Sequence, residues 1–180
     1  GKESRIGVVP STLWAAATTT TSSGSANSSH DSFSPLGGMV PMVYMKFGEV
    51  VFGGVGSGLY VMITYVIIAV FIAGQMVGRT PEFLGRKVER SEVILASVVL
   101  LIHPIFVLIP TAFALISETV RSTLSGEGSH AISQVVYQFA SAASANGSTM
   151  GGITDFTPWW NVAASLSILG GRYLPILALL

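Results

Sequence analysis

Two short stretches of small polar residues constrain this chain more than any other feature. The first is Ala17-Thr18-Thr19-Thr20-Thr21-Ser22-Ser23-Gly24-Ser25-Ala26-Asn27. The second, about 120 residues later, is Ser141-Ala142-Ala143-Ser144-Ala145-Asn146-Gly147-Ser148. Aligning Gly24 with Gly147 sets Thr18 on Ser141, Thr21 on Ser144 and Ser25 on Ser148. Each stretch follows an apolar run far shorter than the ~20 residues that a membrane-crossing helix needs, and each precedes a longer one. Irregular backbone at membrane depth is tolerated only where protein or water surrounds it. The plan is therefore a loop that dips into a membrane and returns, present twice.

Composition supports a membrane setting. Half of the residues are hydrophobic and only 10% are charged, against roughly 25% in ordinary soluble domains. Such a surface is too apolar for a soluble fold of this size, and the charges cluster between the apolar runs. The net charge is zero, so nothing points to nucleic acid. The absence of cysteine excludes disulfides, thiol catalysis and cysteine metal sites. Lys2 and Arg5 precede a Thr- and Ser-rich run rather than the hydrophobic core of a signal peptide. The start at Gly1 and the stop at Leu180 inside an apolar run suggest part of a longer polypeptide.

In chain order, Pro10-Ser11-Thr12 opens a short helix with Ser11 as N-cap, and Leu13 to Ala17 continue it. Residues 28–38, with His30 and Asp31, are polar and placed outside the hydrocarbon. From Pro41 to Val77 the chain is mostly apolar, about 37 residues; a straight helix of that length would measure about 55 Å, too long for a core of ~30 Å. Gly53, Gly54, Gly56 and Gly58 are poor helix residues and mark a break, leaving Leu59 to Val77 as one span. Glu49 sits beside the break with Lys46 three residues earlier. An ionisable residue at a broken helix is either an ion ligand or a local ion pair.

The segment 79–90 holds Arg79, Arg86, Lys87 and Arg90, which places it in the cytoplasm. Val93 to Ile116 runs back outward, with Pro104 and Pro110 expected to kink it. Residues 118–130 form a polar external loop, Ile132 to Ala145 a second short helix, and Trp159-Trp160 an interfacial aromatic belt. Val162 to Leu180 starts an inward span with Arg172 deep inside it. The predicted class is an all-α integral membrane protein.

A cation entering such a loop would have to exchange its hydration shell for backbone carbonyls, and glycine gives the required dihedrals at low cost. Gly24 and Gly147 are the prime candidates. Thr21, Ser22, Ser23, Ser144, Ala145 and Asn146 would add carbonyls, and the negative C-terminal ends of the two short helices would favour a cation. Arg172 would face the interior below these loops and repel a leaking cation, or pair with a carboxylate elsewhere. His103 reads as a packing or kink residue. His30 and Asp31 lack further ligands for a metal site. The Asn-X-Ser patterns at Asn27 and Asn146 read as incidental. No phosphate-binding loop or aspartyl-phosphate motif is present, so ATP hydrolysis is not expected in this chain.

These residues resemble a known family. Thr18 to Asn27 with His30-Asp31-Ser32 is similar to the third pore loop of the KdpA family, the potassium-binding subunits of bacterial Kdp potassium-transporting ATPases. Gly48 to Tyr60 resembles that family's broken helix, Ala69 to Gly74 with Gly78 to Gly85 its cytoplasmic loop, and Ala145-Asn146-Gly147-Ser148 its fourth pore loop. The resemblance covers essentially the whole chain and departs from the usual residues at Ser23 and Ala145. It implies helix–pore loop–helix repeats of the potassium-channel-like superfamily, with residues 1–92 as a third repeat and 93–180 as a fourth. It also implies K⁺ selection at the filter, an ion path past Glu49, and a bacterial plasma membrane location. The implied partners are KdpB, a P-type ATPase that uses ATP and Mg²⁺, with KdpC and KdpF. The related Trk, Ktr and HKT transporters, driven by ion gradients, would share the pore loops; a scaffold without transport would show no ion selectivity.

Overall fold

The computed structural model describes residues 2–47, 50 and 52–180. Among the described residues there are eight α-helices: α1 (Lys2–Ile6), α2 (Val8–Thr20), α3 (Pro35–Phe47), α4 (Ser57–Val77), α5 (Arg90–Ile116), α6 (Glu118–Arg121), α7 (Ser129–Ala143) and α8 (Pro158–Leu179). The only strands among the described residues, β1 (Glu82–Phe83) and β2 (Arg86–Lys87), form one small hairpin. The protein is all-α apart from that hairpin.

Helices α4, α5 and α8 are each long and apolar enough to cross a membrane, with 21, 27 and 22 residues. At ~1.5 Å per residue each exceeds 30 Å. Their flanks are rich in exposed Leu, Ile, Val and Phe, a surface that suits lipid or further protein and not water. Helices α2 and α7, with 13 and 15 residues, are too short to cross. The protein is a membrane protein by these features.

Local sequence sets the helix ends. Glu89 caps α5 through a reciprocal box in which the Glu89 N–H donates to Glu92 Oε2 at 3.0 Å. Thr157 caps α8 with Pro158 at its first position. Gly78 closes α4 in a left-handed conformation, φ 72°. Beyond it Pro81 packs on Gly74, and Leu84 and Gly85, both at positive φ, make the two-residue turn of the hairpin. Helix α5 runs without interruption through Pro104 and Pro110.

Several expectations are corrected. The cap of α2 is Gly7, and Ser11 lies one turn inside the helix, buried. Helix α3 already starts at Pro35, because proline suits a first helical turn. Trp160 is not in an aromatic belt: it is buried, stacked on Phe139 with centroids 5.5 Å apart, and its indole N–H donates to Thr123 Oγ1 at 3.0 Å. A buried ring with a satisfied N–H belongs to the core. That core joins α7, α5 and α8 through Val135, Phe139, Val107, Ala114 and Trp160.

Candidate functional site: two matched loops above a cavity

The two polar stretches are held by the same bonds. In the first, the Thr21 N–H and hydroxyl both donate to the Ala17 carbonyl, at 3.1 and 2.9 Å. In the second, the Ser144 N–H and hydroxyl both donate to the Ala140 carbonyl, at 3.0 and 2.7 Å. The Ser23 N–H then reaches back to the Thr18 carbonyl at 3.0 Å, and the Asn146 N–H to the Ser141 carbonyl at 2.9 Å. This is the helix ending in which a left-handed residue turns the chain so that orphan carbonyls are satisfied. The left-handed residue is Ser22 in one loop, φ 53°, and Ala145 in the other, φ 52°.

Two residues on, the sign turns positive again, at Gly24 (φ 72°) and Gly147 (φ 83°). Alternating left- and right-handed residues place successive N–H groups on one side of the strand and carbonyls on the other. The Ser23 and Asn146 N–H groups are spent on their own helices. The C-terminal ends of α2 and α7, each carrying a partial negative charge, end at the loops. Such an array can take the place of a cation's water shell.

The loops touch each other. A Cβ on Gly24 would fall on the Asn146 carbonyl, so only glycine fits there. The Asn146 side chain donates from Nδ2 to the Thr19 carbonyl at 3.2 Å. Its burial also removes Asn146 from any glycosylation reading.

Below the loops lies a cavity of about 380 Å³. Ser22, Ser144 and Ala145 form part of its lining, and Arg172, Lys46 and His103 bring basic side chains to it. The register of α8 explains the place of Arg172. Gly170 packs on the Phe106 ring, and Gly171 on the Ala143 carbonyl at the end of α7. A side chain at Gly170 would push α8 off α5, and one at Gly171 would push it off the short helix α7. Sequence reading missed Lys46 and His103 as cavity residues; a single Pro after His103 gave no hint of which face the imidazole takes.

The helix break lies beside the same site. Gly54 sits near Ser22 of the first loop, Gly56 precedes α4 at φ 82°, and Gly58 packs against the Gly53 backbone. Glu49, the expected ion-path carboxylate, lies outside the described residues.

His30 and Asp31 bridge the loop after Gly24 to α7. His30 is buried, and its Nδ1 pairs with the Tyr137 hydroxyl at 2.8 Å. Asp31 Oδ1 accepts from His130 Nε2 at 2.8 Å and from Gln134 Nε2 at 2.9 Å. Burial lowers the His30 pKa below its usual 6.5, favouring the neutral imidazole. Burial raises the Tyr137 pKa, opposed by a bond to Ser148. Sequence alone could not pair residues about 100 positions apart.

The model of one family, the potassium-transporting ATPase A subunit KdpA, matches residues 1–180. The chain belongs to the KdpA family. Similar curated proteins include the potassium-transporting ATPase potassium-binding subunit of Sorangium cellulosum, 52% identical over 99% of this chain and 31% of the relative. The proteins of the same name from Synechocystis sp. and Clostridium perfringens are 50% and 51% identical over 100% of this chain, and 32% and 31% of their own lengths. The chain thus spans about a third of the curated relatives it matches.

Proposed function

We propose that this chain is the potassium-selecting part of a potassium-binding subunit in an ATP-driven importer. The observation that carries the reading is the pair of loops with the same bonds and the same alternating φ, meeting at Gly24 and Asn146. Family membership and the printed function of the relatives support it. Thr21, Ser22, Ser23 and Gly24, with Ser144, Ala145, Asn146 and Gly147, line the filter for K⁺. Residues 1–92 and 93–180 act as two pore repeats, the third and fourth of the whole subunit.

Arg172 places a fixed positive charge in the cavity beneath the filter, which raises the barrier to downhill leakage of K⁺. Glu49 serves the onward ion path. The break at Gly53, Gly54, Gly56 and Gly58 frees backbone near that path. The chain works in the bacterial plasma membrane, with the two loops external and residues 79–92 cytoplasmic. ATP and Mg²⁺ are used by KdpB, and KdpC and KdpF complete the assembly.

The test uses the full-length subunit co-expressed with its ATPase partners. ATP hydrolysis is measured against K⁺ and Na⁺, for wild type and Gly147→Asp. K⁺-selective stimulation that the substitution weakens is the expected result. Hydrolysis indifferent to K⁺ would favour a gradient-driven transporter or a scaffold instead.

A further inference from the structure

The second loop has a support that the first lacks. Gly24 is wedged: its open side is filled by the Asn146 backbone. Nothing lies within 4 Å of the position a Cβ would take on Gly147, so no steric contact there fixes its left-handed backbone. The next residue, Ser148, is tied instead. Its hydroxyl meets the Tyr137 hydroxyl at 2.9 Å, and the same oxygen meets His30 Nδ1 at 2.8 Å. All three residues are buried, with exposures of 3% for Ser148, 1% for Tyr137 and 2% for His30. The Tyr137 ring is also held edge-on against the His30 ring, with centroids 5.8 Å apart.

We propose that the buried chain His30–Tyr137–Ser148 positions the Gly147 carbonyl and thereby sets ion selectivity at the second loop. The proposal rests on the filter reading above. The geometry is specific to a positioning role. Tyr137 lies on α7, whose end carries the loop, and Ser148 lies just past the loop's second left-handed residue. The bond between them closes the loop on its own short helix. His30 follows the first loop, so the chain links the outer side of one loop to the outer side of the other. A phenol has one proton, so Tyr137 donates to one partner and accepts from the other, and loss of its hydroxyl removes both bonds. Buried networks of this kind are costly when half-satisfied. The corresponding residues at the first loop, Ser25 and Trp14, are exposed, and neither makes a side-chain hydrogen bond among the described residues.

The experiment uses the full-length subunit in its ATPase complex and reads K⁺-stimulated ATP hydrolysis for wild type, Tyr137→Phe, Ser148→Ala and the double variant. K⁺ half-saturation is expected to rise about tenfold in each single variant, with discrimination against Na⁺ reduced and the K⁺-saturated rate within twofold of wild type. Residues acting as one unit are not additive, so the double variant should match the worse single one. A general loss of structure would instead lower the saturated rate and leave discrimination unchanged. If Tyr137→Phe does not assemble, Ser148→Ala, which removes one oxygen, decides alone. Wild type that ignores K⁺ would overturn the filter reading itself. Wild type that responds, with both single variants keeping its half-saturation and discrimination, would overturn only the positioning role.

Discussion

The two small-polar loops share a backbone and differ in what surrounds it. Their helix endings match bond for bond, from Thr21 and Ser144 to Ser23 and Asn146. Yet Thr21, Ser23 and Ser25 are exposed, whereas Asn146 and Ser148 are buried. The shared part is local: a short helix, a left-handed residue and a glycine two positions later. The differing part is tertiary. The second loop ends a helix packed against α5 and α8, and the first ends one packed chiefly against α3. Local sequence makes the shape of such a loop, and neighbours decide how firmly it is held.

The sharpest way to break this comparison is to substitute the two glycines alike. Gly24→Ala forces a Cβ into the Asn146 backbone as well as a strained left-handed residue. Overpacking costs about 1–3 kcal/mol and the left-handed backbone about 1–2 kcal/mol more. Gly147→Ala carries only the second cost. K⁺-stimulated hydrolysis by the full-length complex should therefore be abolished in Gly24→Ala and only weakened in Gly147→Ala. Equal losses would mean that the wedge at Gly24 does not exist in the assembled subunit.

A smaller effect separates the matched residues Asn146 and Ser23. Asn146→Ala strands the Thr19 carbonyl in a buried place, which costs about 1–3 kcal/mol. Ser23→Ala removes an exposed hydroxyl, and surface changes of this kind stay within about 0.5 kcal/mol. Thermal unfolding of the detergent-solubilised full-length subunit should fall by several degrees for the first and barely move for the second. A comparable drop for Ser23→Ala would show that its loop is equally enclosed in the whole protein.

The smallest expected effect is a pH dependence. Burial lowers the His30 pKa, so between 6.5 and that lowered value the unfolded chain binds a proton that the folded chain excludes. Stability then rises with pH in this window. Above about pH 6.5 the contribution is flat; on acidification it falls until the folded pKa is passed. In His30→Gln the difference from wild type should therefore shrink as pH drops from 7 to 5, measured by thermal unfolding. A difference that stays constant with pH would show that His30 is not buried neutral.

Much of this architecture was legible in the residues. The span lengths followed from apolar runs, and the break followed from four glycines in six positions. The paired loops followed from aligning Gly24 with Gly147, and that alignment also pairs the left-handed residues Ser22 and Ala145. Their handedness itself was not legible, because neither is glycine and the helix ending imposes it. The cap at Gly7 was missed because Ser11 is a better N-cap by type, while the apolar Val8 and Val9 hid the true start. The His30, Tyr137 and Ser148 chain was invisible for a different reason. His30 lies 107 residues before Tyr137, and no local pattern encodes which of two loops a histidine will brace.

The hairpin after α4 has a mechanical consequence. Pro81 pressed on Gly74, the two-residue turn at Leu84-Gly85 and the cap at Glu89 join α4 to α5 at one end with almost no slack. Sliding one helix along the other by a turn would require about 5.4 Å of play, which a turn this tight does not have. At its other end α4 begins at the glycine break. The hairpin end of α4 is thus tied closely to α5, and its other end lies at glycine backbone beside Ser22 of the first loop.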